Sequence, residues 1–165
     1  RRWKLGLTFV LAFLIAQALI FDKALLFTPE KANLPRSERS GYLEEWTAGQ
    51  GIYQVSATLK SEEQKNPKEK IVVGTEGYFG TLPDGLQMYM NDTPSITVIG
   101  VGLNFVSLPK PLTDSKKSGN KTYLVVNKSR VGRSPESLGL KIVAEYPKAV
   151  APDGTQDSLL LLEVI

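Results

Sequence analysis

Histidine and cysteine are both missing from the 165 residues. Their absence removes thiol nucleophiles, disulfides, imidazole bases and any zinc site built from sulfur or imidazole. An excess of one charge is missing too, once the N-terminus is set aside. Residues 1–27 hold Arg1, Arg2, Lys4 and Lys23 against Asp22, which accounts for the whole formal net charge of +3, and the remainder balances 16 basic groups against 16 acidic ones. Phosphate neutralisation dominates nucleic-acid affinity and calls for a basic folded surface, so nucleic acid is not an expected partner. Internal repeats, heptads and low-complexity tracts are also lacking. With 42% hydrophobic and 22% charged residues, the chain has the composition of an ordered protein, and its length suits one ordinary domain with an appendage.

The appendage is apolar. Leu5 to Phe21 is a run of seventeen residues without a charge. As a helix it extends about 25 Å, and snorkelling by Lys4 and Lys23, with Trp3 at the interface, lengthens the effective span. Thr8 and Gln17 are its only hydrogen-bonding side chains, so it lacks the polar stripe of a core helix. Residues 1–27 are therefore expected to form a transmembrane helix with its flanks, and the lipid bilayer is the first expected partner. A signal peptide is the alternative, with Arg1-Arg2-Trp3-Lys4 as its basic start and Ala16-Gln17-Ala18 as its cleavage site. Against it, the apolar run continues through Leu19-Ile20-Phe21 and resumes at Ala24-Leu25-Leu26-Phe27. The basic cluster at Arg1, Arg2 and Lys4 points inward under the positive-inside rule, which places residues 28–165 on the extracytoplasmic side of the cell membrane. Lys31, Arg36 and Arg39 on the other flank weigh against that orientation. The chain opens on Arg1, and the expectation is the tail of a longer membrane protein.

Residues 28–41 contain two prolines and no aromatic, and read as a linker. Residues 42–165 read as a domain. A short amphipathic stretch at 42–46 precedes a helix over about 49–65, where Ile52, Val55 and Leu59 recur at helical spacing. Apolar runs at Ile71–Gly74, Ser95–Val101 and Thr122–Asn127 have the character of buried parallel strands, with short helices expected near 83–90 and 111–118. Leu138–Tyr146 and Ser158–Ile165 read as two further strands, joined through the turn at Ala151-Pro152-Asp153-Gly154. The expected fold class is α/β: one N-terminal transmembrane helix, then a small sandwich with a mainly parallel sheet and a C-terminal antiparallel hairpin.

The most distinctive segment runs from Gly74 to Gly85 (GTEGYFGTLPDG), leaving the carboxyl end of the first strand. Ligands of open α/β sheets bind at that edge. Its glycines match neither a dinucleotide fingerprint nor a phosphate loop, and a tight turn needing positive φ explains them better than a binding loop does. As a binding loop it offers Glu76 and Asp84 as acceptors for sugar hydroxyls and Tyr78 or Phe79 as a stacking face. Asn127 and Arg130 follow the third strand at the same edge. Arg130 suits a phosphate or carboxylate, or else simply faces solvent. The candidate ligand-binding residues are thus Glu76, Tyr78, Asp84, Asn127 and Arg130. No catalytic residue, metal site or cofactor is assigned. The pairs Glu44-Glu45 and Glu62-Glu63 read as surface, since helix neighbours one residue apart diverge. Asn120-Lys-Thr122 and Asn127-Lys-Ser129 match the glycosylation acceptor pattern.

The order of these pieces carries a resemblance. A hydrophobic helix is followed by Leu34-Pro35-Arg36-Ser37, by Tyr42-x-x-Glu45-Trp46-x-Ala48-Gly49-x-Gly51 and by a helix; then come Val72-Val73-Gly74-Thr75-Glu76-Gly77, Leu82-Pro83-Asp84-Gly85 and Tyr123-Leu124-Val125-Val126-Asn127. Over essentially its whole length the chain resembles the last membrane helix and C-terminal extracytoplasmic tail of bacterial membrane glycosyltransferases of the protein-mannosyltransferase type. That resemblance implies a polytopic parent using a polyprenyl-phosphate-linked sugar. Its catalytic carboxylate would lie in an early extracytoplasmic loop, and this chain has no matching position. The tail would be an accessory domain whose partners are the upstream membrane helices of the same parent chain and a lipid-linked sugar or acceptor.

Two alternatives from other classes stand beside it. One is a self-contained, single-pass membrane-anchored binding or interaction domain. The other is a tethered hydrolase, which without His or Cys would need a carboxylate dyad or a Ser–Lys pair. Ser115-Lys116-Lys117-Ser118 lies in a polar stretch with nothing to depress a lysine pKa.

Overall fold

The computed structural model describes residues 2–165, so Arg1 of the basic cluster lies outside the described residues, as does the side chain of Arg2. The chain divides into two compact units, Arg1–Arg39 and Ser40–Ile165.

The first unit is dominated by helix α1, Arg2–Phe27. Its stretch Trp3–Phe27, 25 residues, is long and apolar enough to cross a membrane, extending about 38 Å. Large apolar side chains point outward all round it, from Phe9 and Leu11 to Phe13 and Leu14. Thr8 turns its hydroxyl back onto the Lys4 carbonyl at 3.0 Å, which satisfies it within the helix, as an apolar surrounding requires. The linker read over 28–41 is more structured than expected. Pro29–Lys31 forms a tight turn and Arg36–Arg39 a single helical turn, α2. The Arg39 guanidinium donates to the Glu30 carbonyl at 2.7 Å.

The second unit opens with a wide helical turn at Ser40–Glu44, closed by the Glu45 amide on the Ser40 carbonyl. Helix α3 follows over Ile52–Lys65. It begins later than the apolar spacing predicts because Gly51 stands at φ +92°, and a Cβ there would meet Tyr146 Cβ at 2.9 Å. Then come β1 (Ile71–Thr75), α4 (Thr81–Met90), β2 (Ile96–Gly100), α5 (Lys110–Lys117), β3 (Lys121–Asn127), β4 (Leu140–Pro147) and β5 (Ser158–Val164). The five strands form one sheet in the order β2-β1-β3-β5-β4. The β2, β1 and β3 side is parallel, and β5 joins antiparallel to both β3 and β4. This is the expected mixture of a parallel sheet with a terminal hairpin.

Burial explains the order. The three central strands are buried along nearly their whole length, and they are the three with uninterrupted apolar sequence. Alternate residues feed two cores. On one face Ile71, Val73, Tyr123, Val125, Leu159 and Leu161 meet Val55 and Leu59 of α3 and Leu82 and Leu86 of α4. On the other, Leu124, Val126, Leu160 and Leu162 meet Leu112 of α5 together with Phe105 and Leu138. The connection from β1 leads to one neighbour and the connection from β2 crosses to the other, so α4 and α5 cover opposite faces. All the strand-to-helix loops of the parallel half consequently emerge along one edge of the sheet.

Glu62, read as part of a solvated face, instead ties α3 to β3. Its two oxygens accept from Lys65 and Lys121, each at 2.6 Å. These bonds hold the carboxyl down at about 2. A depressed carboxyl contributes stability that is fully present above its ordinary value of 4.5 and lost as the pH falls toward 2. In Glu62→Gln the unfolding free energy of residues 40–165 should therefore fall less steeply between those two values than in the parent, as measured by urea titration across that range.

Candidate ligand cleft at the carboxyl edge of the parallel strands

The three loops that leave β1, β2 and β3 are fastened side by side by their own backbones. The Gly77 amide donates to the Gly102 carbonyl at 2.7 Å, the Phe105 amide to the Arg130 carbonyl at 3.0 Å, and the Gly132 amide back to the Phe105 carbonyl at 3.0 Å. The turn after β1 crosses directly over the end of β2. A Cβ on Gly100 would stand 2.7 Å from Tyr78 Cα, so only glycine lets the two chains approach this closely.

A cavity of about 700 Å³ opens among these loops. Tyr78 and Phe79 from the first loop, Leu103 and Val106 from the second, Arg130 from the third, and Trp46 from the segment before α3 contribute its walls. The Arg130 guanidinium lies over the Trp46 ring, 4.8 Å from its centroid. The cleft thus pairs flat apolar surfaces with one fixed cation. Such walls suit a ligand with a planar or aliphatic part and an anionic or hydroxyl-bearing part.

The five sequence-derived candidates occupy three different settings. Tyr78 and Arg130 line the cleft. Asp84 is exposed on the first turn of α4, where its Oδ2 accepts from the Gly80 amide at 2.9 Å and closes the loop locally. Glu76 and Asn127 lie beneath the cleft and are buried. The Asn127 amide nitrogen donates to Glu76 Oε2 at 2.9 Å, and its side-chain amide donates to Glu76 Oε1 and to the Trp46 carbonyl. Because the Asn127 side chain is consumed in this way, the acceptor pattern at Asn127-Lys-Ser129 presents no accessible amide.

The sequence reading missed the third member of this network. Lys148, wholly buried at its side chain, donates to Asn127 Oδ1 and to the Glu45 carbonyl, with Asp157 Oδ2 3.9 Å away. Asp157 in turn accepts from the Ser129 amide and hydroxyl, at 3.0 and 2.8 Å. Burial raises the Glu76 carboxyl above its ordinary range against the opposing pull of Asn127, Arg130 and Lys148. Burial likewise lowers the Lys148 ammonium, against Asp157 and Glu76. The available signal was a single lysine set among Tyr146-Pro147 and Ala149-Val150 after an apolar strand. Glu44, read as surface, is also buried.

Ser115 is buried in α5, its hydroxyl 3.0 Å from that of Thr122, while Lys116 is exposed. Among the described residues, no cluster of three or more His, Cys, Asp or Glu converges as a metal site.

Replacing Asn127 with Ala would strand a carboxyl and an ammonium that are both out of water. The expected loss of stability is about 2–4 kcal/mol, read from urea unfolding of residues 40–165. Replacing exposed Asp84 with Ala should cost about 1 kcal/mol or less in the same measurement, the range of a helix-end bond. No protein-family model matches the chain, and neither does any curated protein or solved structure.

Proposed function

We propose that residues 40–165 are the non-catalytic, ligand-seating domain of a polytopic membrane glycosyltransferase that transfers a sugar from a polyprenyl-phosphate donor. On this reading the domain lies on the extracytoplasmic side of the cell membrane, and the upstream membrane helices of the parent chain carry the transfer chemistry. The cleft seats the lipid-linked sugar or its acceptor.

The observation that carries the reading is the cleft at the carboxyl edge of β1, β2 and β3, where Trp46, Tyr78 and Phe79 offer stacking faces beside the Arg130 guanidinium. Sugar rings bind on aromatic faces through their C–H groups, and a guanidinium pairs with phosphate or carboxylate. Two further features agree with it: a helix long and apolar enough to span a membrane stands before the domain, and the segments follow the order of protein-mannosyltransferase-type tails.

In the intact parent, Trp46→Ala and Arg130→Gln should each raise KM for the cleft's ligand about tenfold, a loss near 1.4 kcal/mol, with kcat largely retained. Unchanged kinetics with several donors and acceptors would end the seating role. The native polypeptide, extracted from its own membrane, should be several times heavier than 18.1 kDa. A species near that mass would instead leave a single-pass anchored binding domain using the same cleft.

A further inference from the structure

The rim of the cleft is unusual for a surface that meets only water. Tyr78 is 72% exposed, Phe79 83%, Leu103 53% and Val106 60%, and all four belong to loops joined by backbone hydrogen bonds into one edge. Contiguous exposed apolar side chains on a soluble surface mark a contact site. The loops of this edge carry more cations than anions. Residues 77–80, 101–110 and 128–133 contain Lys110, Lys128, Arg130 and Arg133 and no Asp or Glu. Lys128 is paired with Glu145, and exposed Glu45 and Glu136 flank the edge beside Trp46 and three residues beyond Arg133, so Lys110, Arg130 and Arg133 carry its positive charge.

Only residues 28–39 separate α1 from the domain. Even fully extended, those residues reach about 40 Å. If α1 spans a bilayer, the domain stays within about that distance of its surface. Aromatic and aliphatic loop tips ringed by Lys and Arg are the combination that partitions into the interface of an anionic bilayer, the rings at headgroup level and the cations against lipid phosphate.

We infer that the strand-exit edge of the domain docks on the anionic lipid surface of the membrane in which α1 is embedded, with Tyr78, Phe79, Leu103 and Val106 inserted and Lys110 and Arg133 against the headgroups. This rests on the membrane-spanning reading of α1 but not on the glycosyltransferase reading. Docking would turn the mouth of the cleft toward the bilayer interface, so a ligand carrying its own lipid would enter without crossing water.

The absence of cysteine makes the test clean. The 165-residue chain is reconstituted into vesicles of phosphatidylcholine, with or without about one third phosphatidylglycerol, carrying a polarity-sensitive fluorophore on Val106→Cys. A second version carries it on Lys68→Cys, in the exposed turn before β1 at the opposite end of the strands. Docking predicts a several-fold rise in emission from position 106 in the anionic vesicles, quenched by lipids brominated on their acyl chains, with no response at 68. Tyr78→Ser with Phe79→Ser, and separately Lys110→Glu with Arg133→Glu, should lower the response by about half or more. All four positions are exposed, and circular dichroism of each variant checks that the fold is retained.

Three results would overturn the inference: equal, water-like emission at 106 and 68, a rise at 106 that brominated lipid does not quench (contact with protein), or a rise of the same size in neutral vesicles. No sugar transfer is read, so failure here leaves the proposed activity standing, and loss of that activity leaves this result standing. Resistance of the chain to alkaline extraction tests the span separately.

Discussion

The side-chain amide of Asn127 is where three distant stretches of the sequence are held together. It gives its hydrogens to Glu76 at the exit of β1 and to the Trp46 carbonyl before α3, and its oxygen receives Lys148 from the connection between β4 and β5. Apolar packing brings these segments near one another but is non-directional and leaves their relative positions loosely defined. The amide fixes them. Trp46 is carried to the wall of the cleft by its own carbonyl, and Arg130 stacks on it from three residues beyond Asn127. The geometry of the cleft is thus set from underneath, by groups that do not line it.

Such an arrangement is not an economical source of stability. A buried carboxyl and ammonium lose more hydration than they regain unless every remaining bond is supplied, and an apolar substitute of the same shape often does as well. What the network adds is register. A slip of β3 against β1 or β5 by one residue would turn its side chains to the wrong face and would also separate Asn127 from Glu76, Trp46 and Lys148. Gly100 works to the same end by a different means, since the chain after β1 crosses the end of β2 too closely for any side chain there.

These facts separate what was legible in the sequence from what was not. The central strands announced themselves as Ile71-Val72-Val73, Tyr123–Val126 and Leu159–Leu162, because a strand buried on both faces needs an unbroken apolar run. Edge strand β2 showed the same character at Ser95–Val101 though it is only half-buried. Helix α3 was legible from the spacing of Ile52, Val55 and Leu59, the short helices near 83–90 and 111–118 from their place between strands, and the carboxyl edge followed from the strand–helix alternation. Local rules could not supply partners far apart in sequence. Lys148 meets Asn127 across 21 residues, Lys121 meets Glu62 across 59, and Asn127 meets Trp46 across 81. Glu76 was expected, from its loop, to offer its oxygens to a ligand, whereas β3 buries it and Asn127 occupies both oxygens. Trp46 lies outside every strand exit, and only the tertiary fold brings it to the cleft.

The position of β5 has a consequence for how the domain comes into being. It is the latest strand in order along the chain, yet it occupies an interior place in the sheet, with β3 on one side and β4 on the other. Leu159–Leu162 supply both cores, so neither face can close while those residues are still being synthesised. Everything before them must wait as a partly collapsed chain with the open flank of β3 unprotected, which is the condition under which nascent chains are most exposed to misassociation. β4, whose partner in the sheet is β5 alone, joins the sheet only through it, so the last two strands complete the domain together.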